Sequence, residues 1–160
     1  MKALGLDLGN NLGWCVSSRL KDTVRHLKSG QHLFTSKHGE AARFAEFRRW
    51  LNFMLDESKA NRLIIERPIG GRFQGGSSAK LFFGMRTICL MVAHAHGVDF
   101  FEVAANTVKK HATGKGNAEK GVMIEQAAMA YGFTPGSHDE ADAIWVADWG
   151  LHASKDDVTR

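Results

Sequence analysis

Three strand-like runs stand one after another at the start of this chain, and only then do strands alternate with helices. That order narrows the fold more than any other feature. Residues 3–7 alternate small or polar with apolar side chains and end at Asp-Leu-Gly, a strand running into a turn. Gly13–Ser18 predicts a second strand, paired as a hairpin through a Gly9–Leu12 turn, and His26–Thr35 predicts a weaker third. Glu40–Glu57 places Ala41, Phe44, Phe47, Leu51 and Leu55 at helical spacing. Arg62–Glu66 is a short apolar run ended by Pro68, which reads as a buried central strand. A Gly/Ser-rich loop over residues 70–78 leads into a helix over Ser78–His96 that stops at Gly97. Val98–Val103 predicts the fifth strand, and Thr107–Ala112, Ala118–Tyr131 and His138–His152 predict three further helices. The expected fold class is α/β. Its mixed five-stranded sheet has an antiparallel meander, then parallel strands, with helices on both faces. Residues 1–160 are expected to form one domain.

Composition removes several classes of function. Apolar residues make up 44% and charged residues 24%, the balance of a globular chain rather than a disordered one. The longest apolar candidate, around Leu81–Ala95, is broken by Gly84, Arg86 and His94, so no membrane span is expected. No secretory signal precedes the first strand, and the two cysteines, Cys15 and Cys89, lie in apolar surroundings. Both point to a reducing, cytoplasmic setting with buried thiols. The net charge of +4 is only mildly basic, so the positions of the charges matter more than their sum.

Acids in this sequence gather at element ends. Asp7 closes the first strand, Glu66 closes the fourth after three apolar residues, and "SHDEADAIWVADWG" (137–150) opens the last helix. Ser137 and Glu140 have capping-box spacing, which gives Glu140 a structural task. Asp139 and Asp142 are three apart and share a face of the first turns. Alone, Asp139 reads as a favourable first-turn acid; Asp142 runs straight into apolar residues and does not. In a mixed sheet the ends of strands one and four can be neighbours, and a final helix packing across them would bring four carboxylates to one place. Such a cluster needs counter-charge. Oxygen-only ligands select Mg²⁺, with Mn²⁺ as substitute, and two such ions roughly 3.5–4 Å apart are the machinery of in-line phosphodiester cleavage.

The segments "GLDLGNNLGW", "LIIERP" and "DEADAIWVA" together resemble the RuvC family of Holliday-junction resolvases, within the RNase H-like superfamily. Asp7, Glu66, Asp139 and Asp142 fall on the family's metal-binding acids. "NTVKKHATGKGNAEKGVMIEQ" is similar to its basic segment, with Lys109 and Lys120 on the two functionally important lysines. The resemblance spans nearly the whole chain in order. It implies an RNase H-like fold, a homodimer, branched DNA as partner, and paired symmetric nicks in a four-way junction that leave 5′-phosphate and 3′-hydroxyl ends. It also implies two Mg²⁺ per site and no small-molecule cofactor. Leu8 stands where bacterial members usually carry Pro, and the glycine-rich "RPIGGRFQGG" is unlike their loop, whose aromatic wedge corresponds best to Phe73. The compact chain looks like a phage-type member, which would act in the cytoplasm of a bacterial host.

The candidate DNA contacts are Arg67, Arg72, Phe73, Lys80, Lys109, Lys115 and Lys120. Lys110 reads as solvated surface, and "TGKGNAEK" lacks the spacing of a phosphate-binding P-loop. Three rival readings remain. The same acids could serve a nuclease for flaps, forks or RNA-containing substrates. "DLGNNLGW" also resembles a phosphate-binding hairpin of sugar-kinase and actin-type ATPases, but the chain has no second such turn. A junction-binding protein without catalysis would gain nothing from four acids facing phosphates.

Overall fold

The computed structural model describes residues 1–35, 37–68 and 75–157. Its elements are β1 (Lys2–Asp7), β2 (Asn11–Leu20), β3 (Thr23–Leu33), α1 (Glu40–Ser58), β4 (Arg62–Arg67), α2 (Gly76–His96), β5 (Asp99–Ala104), α3 (Ala105–Thr113), α4 (Lys120–Tyr131) and α5 (His138–His152), followed by a short 3-10 turn at Lys155–Asp157. The five strands form one sheet in the order β3-β2-β1-β4-β5. β1, β2 and β3 are an antiparallel meander, while β4 pairs parallel with β1 and β5 pairs parallel with β4. Element order and sheet arrangement match the sequence reading.

The largest boundary differences lie in the meander. β2 begins at Asn11, so Leu12 is a buried strand residue and the turn is shorter than Gly9–Leu12 suggests. β3 is an edge strand whose side chains are nearly all partly or fully exposed, and it runs from Thr23 to Leu33 rather than from His26 to Thr35. An edge strand carries little apolar alternation, so its ends leave little trace in the sequence. α3 starts at Ala105, directly after β5, and α4 starts at Lys120 instead of Ala118.

Strand alternation sorts side chains between two cores. Leu4, Leu6, Leu12, Val16, Leu63, Ile65 and Phe100 face α1 and α2, packing on Phe47, Leu51, Met85 and Cys89. Ala3, Cys15, Ile64, Phe101 and Val103 face α3, α4 and α5, packing on Val108, Met123, Ala143, Val146 and Ala147. Both cysteines are buried free thiols. Trp145 is buried, and Trp14, Trp50 and Trp149 pack half-buried against the two cores.

α5 lies closer to the sheet than side chains normally permit. A Cβ on Gly5 would strike the backbone of Ala143 and Ala147, one on Gly13 would strike the carbonyl of Asp139, and one on Gly150 would strike Ile64. Glycine at all three positions lets the helix sit directly on β1, β2 and β4. Its C-terminal end is tied down by Arg62, at the start of β4, whose Nη1 donates to the carbonyls of Gly150 at 2.5 Å and Ala153 at 2.8 Å. A cation at the negative helix end is favourable there. With that end fixed over the start of β4, the N-terminal end of α5 points toward the carboxyl ends of β1 and β4.

Candidate active site

The carboxyl ends of parallel strands are where α/β sheets place their ligands, and here β1, β4 and β5 end side by side. The β1–β4 register pairs Gly5 with Ile64 and Leu6 with Ile65, so the next position sets Asp7 beside Glu66. Period-two alternation turns both away from the Leu6 and Ile65 core and toward α5. β5 runs without a break into α3, which carries Lys109.

α5 delivers the other two acids. Ser137 is its N-cap, and the Ser137 hydroxyl accepts from the Glu140 backbone N–H at 3.1 Å. The Glu140 carboxylate accepts from the Gly136 N–H at 2.7 Å and from the Ser29 hydroxyl at 2.5 Å. Glu140 has a structural task, but its carboxylate holds the N–H of Gly136, one residue before the N-cap, instead of that of Ser137, and it also ties the helix start to β3. Asp139 sits over Gly13, the residue that pairs with Asp7 across β1 and β2. On the far side of Gly13 its β3 partner is Gln31, whose Nε2 donates to Asp139 Oδ2 at 2.7 Å. Asp7, Gly13 and Gln31 therefore form one row across the sheet beneath Asp139.

These groups lie close enough to act on one another's charge. Burial, then the charges of Asp142 and Asp139, push the Asp7 carboxyl up to about 7, while Lys120 pulls it down. Burial, then Asp7 and Asp142, push Glu66 up to about 9, opposed by Lys109. Asp142 is raised mainly by burial and by Asp139, against Lys109, Lys120 and His138. Each lysine thus faces two of the acids. Lys120 is the first residue of α4, where the helix dipole disfavours a cation, and the acids opposite offset that cost.

This arrangement has a pH signature. Asp7 and Glu66 hold protons in the folded chain that the unfolded chain releases near their ordinary values of 3.8 and 4.5. Between about pH 5 and pH 8 the native state therefore binds more protons than the unfolded state, and stability falls as pH rises. His26, lowered by burial, contributes an opposite slope below its ordinary 6.5. Asp148, whose carboxyl is lowered, acts only below 3.8. Thermal unfolding in EDTA should show Tm falling across that window, and saturating Mg²⁺ should flatten the fall. A Tm that rises with pH in EDTA would contradict the clustering.

A family profile described as crossover junction endodeoxyribonuclease RuvC matches residues 3–148. The chain belongs to that family. RuvC of Anaeromyxobacter sp. (strain Fw109-5) is 33% identical over 150 residues, covering 92% of this chain and 71% of the relative. RuvC of Rickettsia conorii (strain ATCC VR-613 / Malish 7) is 31% identical over 151 residues, covering 92% and 94%. Among solved structures, T. thermophilus RuvC in complex with Holliday junction substrate superposes with a TM-score of 0.82 at 21% identity, over 92% of this chain and 90% of that one. The fowlpox virus Holliday junction resolvase superposes at 0.60 and 11% identity, over 95% and 98%. These superpositions establish the fold as RNase H-like.

Within this RuvC-family chain the donor set suits a hard divalent cation. Asp7, Glu66, Asp139 and Asp142 offer only oxygen, and Asp7 and Glu66 are raised first by burial and then by the neighbouring acids, penalties that a bound cation would relieve. The remaining predicted contacts are spread more widely. Arg67 ends β4 and is exposed. Lys115 is exposed in the α3–α4 connection, where the Thr113 hydroxyl accepts from its N–H at 3.1 Å. Lys80 lies on the first turns of α2, lining a hollow with Glu40, Arg43, Phe44 and Ser77 rather than facing the acids. Arg72 and Phe73 lie outside the described residues. Gln31 and Ser29 escaped the sequence reading. Their signal was cross-strand register, which needs the β2–β3 pairing to be known first.

Proposed function

We propose that this chain is a divalent-metal-dependent, structure-selective DNA endonuclease that resolves four-way junctions by paired symmetric nicks. The observation that carries the proposal is the meeting of Asp7 and Glu66, at adjacent strand ends, with Asp139 and Asp142 on α5, opposite Lys109 and Lys120. The relatives are crossover junction endodeoxyribonucleases, and the superposed structures are a RuvC in complex with Holliday junction substrate and a Holliday junction resolvase, which supports the substrate.

Asp7, Glu66, Asp139 and Asp142 would hold two Mg²⁺, or Mn²⁺ in their place. When bound, such ions activate water and stabilise the leaving 3′ oxygen. The chain's own residues do the rest. Gln31 fixes one oxygen of Asp139 so that the carboxylate faces the cluster. Lys109 and Lys120 hold the scissile phosphate against the repulsion of the acids and stabilise charge that develops on it. Arg67, Lys80, Lys115 and Arg72 contact flanking phosphates, and Phe73 stacks on unpaired bases. The chain works as one nuclease domain, without a small-molecule cofactor, in the cytoplasm. Among the described residues no helix is long and apolar enough to cross a membrane.

Two symmetric cuts need two active sites, so the functional unit is a homodimer. Phe83 and Met91, 53% and 61% exposed and eight positions apart on α2, give that face the apolar character such a contact requires.

The test is a nicking assay on a labelled immobile four-way junction, with linear duplex, flap and RNA–DNA hybrid as controls. Mg²⁺-dependent symmetric cuts confined to the junction are expected. Cleavage of flaps or hybrid with the junction untouched would move the substrate while keeping the active site. Tight junction binding without cleavage in Mg²⁺ or Mn²⁺ would overturn the enzymatic reading.

A further inference from the structure

A second group of metal-ligating side chains lies on the same side of the sheet, away from the four acids. His111 is near the end of α3, and Asp148 and His152 are one turn apart near the end of α5. Nitrogens from both imidazoles and an oxygen of Asp148 lie within 4.8 Å of one another. His111 Nε2 is 2.5 Å from Asp148 Oδ1, and His152 Nδ1 is 3.5 Å from the same oxygen. The Tyr131 hydroxyl, from the end of α4, donates to the other oxygen, Oδ2, and so fixes the plane of the carboxylate. The Asp148 side chain is only 9% exposed, whereas the imidazole side chains are 26% and 41% exposed. The carboxylate is thus anchored in the core while both imidazole rings are partly exposed.

We propose that His111, Asp148 and His152 form a second cation site, for a borderline transition-metal ion of the Zn²⁺ class. Two imidazoles and one carboxylate are a three-ligand set that leaves a fourth position for water. Their softness separates them from the all-oxygen acid cluster, which prefers Mg²⁺. Tetrahedral bonds of about 2.0–2.1 Å place ligand atoms about 3.3 Å apart. The His152–Asp148 spacing already fits. The His111–Asp148 pair is bridged by a hydrogen, and it must widen as the ion takes the hydrogen's place. His152 Nδ1 must also release its 2.9 Å bond to the Asp148 carbonyl. Tyr131 supplies the outer support that metal-bound carboxylates commonly have. Asp148 follows Asp142 by six residues, roughly 9 Å along the helix at 1.5 Å per residue, so the ion would sit apart from the cutting site. It would clamp α3, which carries Lys109, to α5, which carries Asp139 and Asp142.

Co²⁺ is the probe, titrated into the full chain with excess Mg²⁺ present. A low-coordinate nitrogen-and-oxygen site gives Co²⁺ strong visible absorption, whereas a six-coordinate all-oxygen site does not. Wild type and Asp7→Asn should each take up one equivalent with that absorption and release it to Zn²⁺. His111→Gln and His152→Gln should bind at least about tenfold more weakly. Both substitutions are at partly exposed side chains, and an unchanged metal-free Tm confirms that each variant is folded. Equal Co²⁺ titration in wild type and a variant carrying both His111→Gln and His152→Gln would overturn the site, as would loss of the absorption in Asp7→Asn or the absence of saturable binding.

Discussion

Asp7→Asn should abolish junction cleavage and at the same time make the metal-free protein more stable. Asparagine keeps the shape of aspartate and removes its charge. The lost carboxylate is the one at the centre of the cluster, acted on by Asp139, Asp142 and Lys120 and itself acting on Glu66. A fall of at least about 10³-fold in cleavage rate is expected, about 4 kcal/mol at 1.36 kcal/mol per decade. Junction binding should survive, because the phosphate contacts come from lysine and arginine side chains that the substitution leaves in place. Stability moves the other way. In EDTA the folded chain holds Asp7 with its carboxyl raised to about 7 by burial and by neighbouring acids, and a neutral amide escapes both penalties. Tm in EDTA at about pH 8 should therefore rise, by about 2–4 °C for each kcal/mol relieved in a chain of this size. Glu66, freed from one neighbouring acid, should lose part of its upward shift, so the fall of Tm with pH should become shallower. Loss of cleavage together with loss of stability would mean that Asp7 is a structural residue. A variant that still cuts would remove it from the active site.

That opposition between stability and activity is what made the site legible. A buried carboxylate at the end of an apolar strand breaks a local rule, and such breaks gather at functional sites. Asp7, Glu66 and Asp142 could be singled out because each follows or precedes apolar residues that fix its burial. α5 was readable to the residue, His138–His152, because Ser137 and Glu140 mark its start. The central strands were readable because both of their faces are buried. β3 was not, since an exposed edge strand leaves little periodicity, and with it went Gln31, whose contact with Asp139 depends on a register set by the strand beside it. His111, Asp148 and His152 were missed for a related reason. Asp148 and His152 share a helix turn, but His111 joins them through tertiary packing of α3 on α5, which no local spacing announces. Lys109 and Lys120 lie on different helices and meet the acids only through that packing. They were found by family resemblance rather than by pattern.

The close approach of α5 gives the second large effect, and it needs no change to any acid. Gly13→Val should cripple cleavage while leaving Asp7, Glu66, Asp139 and Asp142 intact. A Cβ at Gly13 would overlap the carbonyl of Asp139, and what it meets is helix backbone rather than the flexible tip of a side chain. The helix cannot slide away freely. Its far end is held by Arg62 through the carbonyls of Gly150 and Ala153, and its middle rests on Gly5 through Ala143 and Ala147. Relief must come from lifting the first turns of α5, which moves Asp139 away from Gln31 and both helix acids away from the strand ends. Overpacking of this kind costs about 1–3 kcal/mol, or about 2–12 °C in Tm. A displacement on the order of 1 Å at a reacting centre costs about 10²-fold in rate. Cleavage should therefore fall about 10²-fold or more in protein that remains folded at the assay temperature. Gly9→Ala is the matched control. It lies in the β1–β2 turn, and an added Cβ meets only the Asn11 carbonyl at an ordinary 3.5 Å, so Tm and cleavage should both stay near wild type. If Gly13→Val cut the junction as fast as Gly9→Ala, the seating of α5 on β2 would not set the position of Asp139. The geometry that unites the four acids would then have to come from the DNA-bound state instead of being built into the fold.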